Sequence, residues 1–306
     1  MTDSPIDSLH INFNAETLWV LNFALAFVMF GIALDISIAD FRRLIRDPKP
    51  ILVGIFSQFL VLPAITFLLV WIMKPIPSMA LGMFMVAACP GGNISNFITH
   101  LAKGNTALSV SLTAVATLLA IVMTPLNLQL WGSLYEPTAT ILTAVAISPF
   151  EMIKLVSLLL GVPLALGMWF NHLKPILARK LAKILKIVSL LFFIVLIFIA
   201  LYNNRDIFTA YVIYVFWLVA VHNLVAFTTG FSLAKLFGLS QQNMRSITIE
   251  TGIQNSGLGL LLIFTFFDGL GGMALLAAFW GIWHLVSGLL LATFWGYKPI
   301  VKDELI

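Results

Sequence analysis

Nine stretches of this chain are apolar over the roughly 20 residues that a helix needs to cross a bilayer. They are Thr17–Leu34, Pro50–Met73, Ser78–Ala102, Thr106–Leu126, Ser148–Phe170, Ala182–Tyr202, Thr209–Ser232, Ser246–Phe267 and Met273–Trp295. In lipid every backbone polar group must be satisfied within the segment, so these runs constrain the chain to an all-α polytopic membrane protein. Only 10% of the residues are charged, against about 25% in soluble domains. That excludes a water-soluble enzyme, a nucleic-acid binder and a disordered scaffold. The segment Pro137–Ile147 is apolar but too short to span, and reads as an interfacial helix or a lead-in to the fifth span. Cys89 is the single cysteine, so the chain has no internal disulfide and no Cys-based zinc site. The first 15 residues hold Asp3 and Asp7 and no basic residue, unlike a signal-peptide n-region.

Short loops rich in Lys and Arg face the cytoplasm. With the N-terminus outside, nine alternating spans leave only Lys74, Lys154 and Arg205 of the 17 basic residues on the outer side. The inner side takes Arg42, Arg43, Arg46, Lys49, Lys103, Lys174, Arg179, Lys180, Lys183, Lys186, Lys235, Arg245, Lys298 and Lys302. The basic excess is therefore a topology signal, with the C-terminus cytoplasmic and a bacterial inner membrane as the expected location.

All but one of the 13 acids fall in loops or at helix ends; the exception is Glu250, inside the eighth span. An ionisable group at that depth costs about 2.5–3.5 kcal/mol on insertion scales and marks an ion or substrate path by default. The alternative is a protonated acid bonded to a neighbouring helix. Gln254, Asn255 and Ser256 weigh against it, because simple packing needs no further polar side chains.

That span also reads as broken, with Gly252 and Gly257 bracketing the polar run. The third span has a matching flaw in Pro90-Gly91-Gly92-Asn93-Ile94-Ser95-Asn96. Proline removes a backbone donor and paired glycines permit unusual dihedrals. Two interrupted spans in corresponding halves point to inverted repeats with a midplane site. The two breaks are expected to cross antiparallel, offering half-helix N-termini near Asn93 and Gln254 to an anion, and carbonyl ends with Glu250 to a cation. The fourth span sets Thr106, Ser109, Thr113 and Thr117 on one stripe. Such a stripe also serves close helix packing, but hydroxyl oxygens suit a hard monovalent cation. Gln58 adds a mid-membrane amide in the second span. One carboxylate among neutral oxygens fits Na⁺ better than a divalent metal; proton coupling through Glu250 remains an alternative.

The run Cys89–Asn96, the following Leu101–Val110 and the run Glu250–Gly257 resemble the signatures of the bile acid:sodium symporter family, as do Asp40-Phe41-Arg42-Arg43 and Trp283-His284. The resemblance implies a core domain that moves against a panel. On that pattern residues 1–48 are a tail and first panel helix, 49–130 and 206–297 the two parts of the core, 131–205 further panel helices, and 298–306 a cytoplasmic tail. It implies one sodium site of Ser95, Asn96, Ser109, Thr113 and Glu250. It implies a second of Gln58, Glu250 and Gln254 with the carbonyls of Thr251 and Ile253. Relatives often carry Thr where this chain has Asn93, and Trp-His-Asn where it reads Trp283-His284-Leu285. Both departures lie where substrate is expected to bind, so sodium coupling transfers and bile acid recognition does not.

The expectation is a symporter that imports a small organic anion, such as a 2-keto acid or pantoate-like acid, with two Na⁺ ions. Asn93, Asn255 and His284 are the candidate substrate contacts. The rival is an arsenite-type or proton-coupled exporter that uses Cys89 and Glu250. An intramembrane enzyme has no support: the sequence holds no His-Glu-x-x-His.

Overall fold

A computed structural model describes residues 5–7, 26–37, 46–145, 149–203 and 205–297. Most of the first apolar stretch, the loop motif Asp40–Arg43 and the tail with Lys298 and Lys302 lie outside these residues. Among the described residues the regular structure is helical, and Gly91 and Gln254 form an isolated antiparallel β-bridge. Helix α1 covers residues 26–33. Helix α2 is Pro48–Met73 and α3 is Pro77–Ala88. Next come α4 (Ile94–Leu101), α5 (Thr106–Leu134) and α6 (Glu136–Val145). Helix α7 begins at Pro149–Val156 and continues through a π-helical turn into Val162–Leu173. Then follow α8 (Pro175–Asn203), α9 (Arg205–Leu236), α10 (Gln241–Gly252), α11 (Ser256–Phe266) and α12 (Gly271–Tyr297).

Among the described residues, five helices are long and apolar enough to cross a membrane: Pro48–Met73, Thr106–Leu134, Phe150–Leu173, Thr209–Leu236 and Gly271–Tyr297. The third and eighth apolar stretches are each split in two, so neither half qualifies alone. Large apolar side chains such as Leu60, Trp71, Ile72, Trp169, Ile213 and Leu290 are exposed on the outer surface. In water such a surface would be an aggregation hazard; against lipid it is the expected solvent boundary.

Two helices depart from the sequence reading for identifiable reasons. Helix α5 runs past Leu126, where the apolar run stops, because Asn127 is satisfied inside the protein. Its Nδ2 donates to the carbonyls of Phe59 and Met123 (both 3.0 Å), and its Oδ1 accepts from Trp131 Nε1 at 3.0 Å. Helix α10 starts at Gln241, with Ser240 Oγ accepting from Asn243 N at its N-cap. Arg245, assigned above to an inner loop, is therefore helical and 2% exposed. Its Nη1 donates to the carbonyls of Ala102 at 2.8 Å and Trp295 at 3.1 Å, and the guanidinium lies 5.8 Å from the Trp295 ring. A buried cation can persist there because its donors meet carbonyls left over at helix ends.

The apolar side chains form one large cluster and several smaller ones around the breaks. The largest apolar cluster is built chiefly on α3, α11 and α12, with Met83, Leu262 and Trp280 fully buried. Val28 and Met29 of α1 and Met152, Val156 and Leu160 of α7 belong to that cluster, and two smaller clusters join α1 to α7 and to α8. Leu34 packs with Ala178, Ala182 and Leu185, and Ala33 and Ile36 pack with Leu164 and with Ala114 of α5. Asn171 Nδ2 donates to the Ile36 carbonyl at 2.9 Å and fixes the end of α1.

Candidate functional site

The breaks in the third and eighth stretches meet each other. Cys89 precedes Pro90 and is driven out of the helical region (φ −72°, ψ 155°), as the clash of a following proline ring demands. The other break, Ile253–Asn255, separates α10 from α11. Gly91 and Gln254 form the antiparallel bridge. Gly92 N donates to Ile253 O at 2.8 Å and Asn255 N donates to Pro90 O at 2.9 Å. Each break thus satisfies backbone groups of the other, which is how non-helical chain survives at membrane depth.

Both broken helices restart beside this crossing. Helix α11 begins with Asn255 as N-cap, its Oδ1 accepting from Leu258 N at 3.0 Å. Asn93 occupies the N-cap of α4 and makes no side-chain cap bond. The positive dipole ends of two helices therefore open on one place.

Glu250 is 4% exposed, and its carboxylate takes three hydroxyl donors. Ser95 Oγ donates to Oε2 at 2.5 Å, Ser109 Oγ to Oε2 at 3.1 Å, and Thr113 Oγ1 to Oε1 at 2.6 Å. Thr113 also donates to Asn96 Oδ1 at 3.3 Å. The five candidate residues of the first sodium site thus lie in one cluster drawn from α4, α5 and α10. Of the hydroxyl stripe on α5, Ser109 and Thr113 reach Glu250. Thr117 instead donates to the Thr113 carbonyl of its own helix at 2.7 Å.

The candidates for the second site lie on the other side of the crossing. Gln58 Nε2 donates to the Cys89 carbonyl at 2.7 Å and to Gln254 Oε1 at 2.8 Å. Gln254 Nε2 donates to the Thr251 carbonyl at 2.6 Å, and the Ile253 carbonyl accepts from Gly92. Gln58 sits in a π-helical turn of α2, Ser57–Val61. Such turns shift the face a helix presents and are frequent at functional sites.

Several supporting residues are missing from the sequence reading. Asn223 Nδ2 donates to the Gly252 carbonyl at the end of α10 at 2.8 Å, and Ser287 Oγ donates to Asn223 Oδ1 at 2.6 Å. Thr124 Oγ1 donates to the Ala88 carbonyl at the end of α3 at 2.7 Å. Ser57 and Thr251 hydroxyls are 3.0 Å apart. Polar side chains on unbroken helices thus hold the loose carbonyl ends of both broken ones.

A cavity of about 190 Å³ opens beside the crossing, lined by Asn93, Gln254, Asn255, Ser256 and His284 and, at and just after α1, by Gly31 and Asp35. His284 Nδ1 is buried and has no hydrogen-bond partner among the described residues. His222, the other intramembrane histidine, is bonded at Nε2 to Thr66 Oγ1 at 2.8 Å. Cys89 is fully buried in the apolar cluster. Among the described residues no three His, Cys, Asp or Glu side chains come together to hold a metal. The donors at Glu250 are one carboxylate and neutral oxygens, and each hydroxyl can rotate its proton away to present a lone pair. Such a set suits a hard, singly charged cation.

Fold and site together define a polytopic helical membrane transporter rather than an enzyme. The profile of the Sodium Bile acid symporter family matches residues 22–211. The chain is 32% identical over 285 residues to the sodium-dependent transporter YocS of Bacillus subtilis, covering 92% of this chain and 85% of that one. It is 31% identical to the ileal sodium/bile acid cotransporter of Oryctolagus cuniculus over 78% of this chain and 67% of that protein. It is 30% identical to the sodium-dependent organic anion transporter of Bos taurus, over 74% of this chain and 59% of that protein. The chain belongs to the sodium bile acid symporter family and is a sodium-coupled solute transporter.

Proposed function

We propose that this protein imports a small organic anion, a carboxylate, together with two Na⁺ ions by alternating access. The observation that carries the reading is the crossing itself. A lone membrane-depth carboxylate with three hydroxyl partners sits next to two helix starts, so a cation site and an anion site share one piece of backbone. The first Na⁺ takes Ser95, Asn96, Ser109, Thr113 and Glu250. The second takes Gln58, Glu250 and Gln254 with the carbonyls of Thr251 and Ile253. The substrate carboxylate sits at the two helix starts beside Asn93 and Asn255, with His284 on the cavity wall. Binding of the ions orders the crossover and completes the anion site. The chain then crosses the membrane nine times, from an outer N-terminus to a cytoplasmic C-terminus in a bacterial inner membrane. The group α1, α7 and α8 acts as the panel against which the inverted-repeat core rocks.

At the crossing itself the cavity of about 190 Å³ has room for a carboxylate headgroup, well below the roughly 300–1,000 Å³ that encloses a drug-sized ligand. Burial of Cys89 away from this cavity supports the symporter over a thiol-dependent exporter. Two Na⁺ with a monocarboxylate move one net positive charge, worth about 2.3 kcal/mol per 100 mV across the full potential.

Replacing Na⁺ with choline or K⁺ at fixed pH is expected to stop uptake into proteoliposomes. Uptake unchanged by the replacement overturns the coupling. Gln58→Ala is expected to weaken Na⁺ dependence by about tenfold through the second site, and to lower the Hill coefficient for Na⁺ toward one. An unchanged Hill coefficient removes Gln58 from the ion set.

A further inference from the structure

The crossover cavity shares part of its wall with a larger space. It shares Ile32, Asp35 and Asn93 with a cavity of about 490 Å³. That cavity shares Asp35 and Arg179 with a third of about 390 Å³, which Lys180 and Lys183 also line. Together they succeed one another along shared walls from the helix starts at the crossing to the first turns of α8.

Arg179 lines the large cavity together with Asn93, Asn96 and Thr113. It thus faces the same space as a candidate substrate contact and two candidate ion ligands, although the sequence reading counts it only as a topology signal. Among the described residues its hydrogen bond is from Nε to the Pro175 carbonyl of its own helix at 3.3 Å. A guanidinium carries five N–H donors in a planar fork that matches a carboxylate. Asp35 lies on the same wall and has an interaction partner of its own. A space of about 490 Å³ can house a whole small ligand, whereas about 190 Å³ at the crossing houses little more than a headgroup.

We infer that Arg179 is the second anion-recognition point along these cavities and that the substrate class is an organic dianion. One carboxylate lies at the helix starts and the other on the Arg179 guanidinium. The inference rests on the reading above that the crossing takes a carboxylate beside sodium. With a dianion, two Na⁺ leave no net charge to move.

The test uses the purified full chain, with melting followed in NaCl and in choline chloride. Pentanoate and glutarate are the probes, straight-chain acids of equal length that differ by one terminal carboxylate. In NaCl, glutarate is expected to protect the wild type at about tenfold lower concentration than pentanoate, the worth of one charge-assisted pair. R179Q is expected to raise the half-saturating concentration of glutarate about tenfold and leave that of pentanoate within about twofold; R179K recovers part of the loss. Arg179 is exposed, so the variants keep the fold, and their melting without ligand verifies that. Equal protection by the two acids in the wild type overturns the inference, as does equal weakening of both by R179Q. Sodium-dependent protection by pentanoate alone also overturns it while leaving the symport reading intact. No sodium-dependent protection by either acid overturns both.

Discussion

Glu250→Gln is expected to remove sodium-dependent stabilisation and to cut uptake by at least about 100-fold, while the protein still folds. The carboxylate now accepts from Ser95 and Ser109 on one oxygen and from Thr113 on the other. An amide offers one oxygen and one NH₂ in nearly the same volume. Whichever way it is turned, the hydroxyls that face the NH₂ can rotate and accept, so the neutral network re-forms. In sodium-free buffer the variant is therefore expected to melt at or above the wild-type temperature, because it no longer buries an ionisable group without its cation. What cannot re-form is the charge opposite the ion. Removing one partner of a buried charge pair costs about 3–5 kcal/mol, beyond 100-fold in affinity. Melting in NaCl against choline chloride, with uptake into proteoliposomes, reads both halves of the prediction. A variant that transports with wild-type sodium dependence sinks the assignment of Glu250, and one that unfolds without sodium shows the carboxylate to be structural.

Much of this site is legible from the chain because its elements break local rules. Glu250 is an acid where lipid-depth helices exclude acids, and Pro90-Gly91-Gly92 is a backbone interruption where a helix is required. Each stands out without knowledge of any contact. That the two breaks bond to each other is less accessible, since Gly92 N and Ile253 O belong to segments far apart in sequence and carry no side-chain signature. The helix period places Ser109, Thr113 and Thr117 on one face but says nothing of depth, so Thr117 looks equivalent to Thr113 until its hydroxyl is seen on its own helix. The supports are hidden for another reason. Asn223 and Thr124 lie on long apolar helices where a single small polar residue is unremarkable, and their partners are carbonyls that any residue could supply. The π-turn that carries Gln58 leaves no pattern in Ser57-Gln58-Phe59-Leu60-Val61. Arg245 reads as a loop residue because a cation near a span's end nearly always is one; here the carbonyls of Ala102 and Trp295 hold it inside.

The hydroxyl cluster and the backbone crossing are separate in sequence but share one contact that a single methyl group can test. Gly91 forms the bridge to Gln254, and a Cβ placed on it would lie 2.3 Å from Glu250 Oε1 and 2.7 Å from its Cδ. The atoms in the way are the end of the Glu250 side chain, and that end is restrained. The carboxylate is held by three hydroxyls, and the backbone of residues 90–92 is held by two hydrogen bonds to the other break. Gly91→Ala must therefore either push the carboxylate off its hydroxyls or part the crossing. Overpacking of this kind costs about 1–3 kcal/mol, and each escape route also dismantles an ion site. The expected result is a lower melting temperature together with at least about 30-fold weaker sodium dependence of transport. Gly259→Ala, on the neighbouring α11, is the matched control. Its Cβ would meet Cys89 Sγ at 3.6 Å, an ordinary contact, and alanine is the better helix former by about 0.8–1 kcal/mol. That variant is expected to bind sodium normally and to melt no lower than the wild type. If Gly91→Ala transports as the control does, the carboxylate has room to move and the crossing does not couple ion to anion through this contact. If it loses sodium dependence while keeping its melting temperature, the carboxylate has yielded and the backbone has not, which makes the glycine a condition of ion binding rather than of folding.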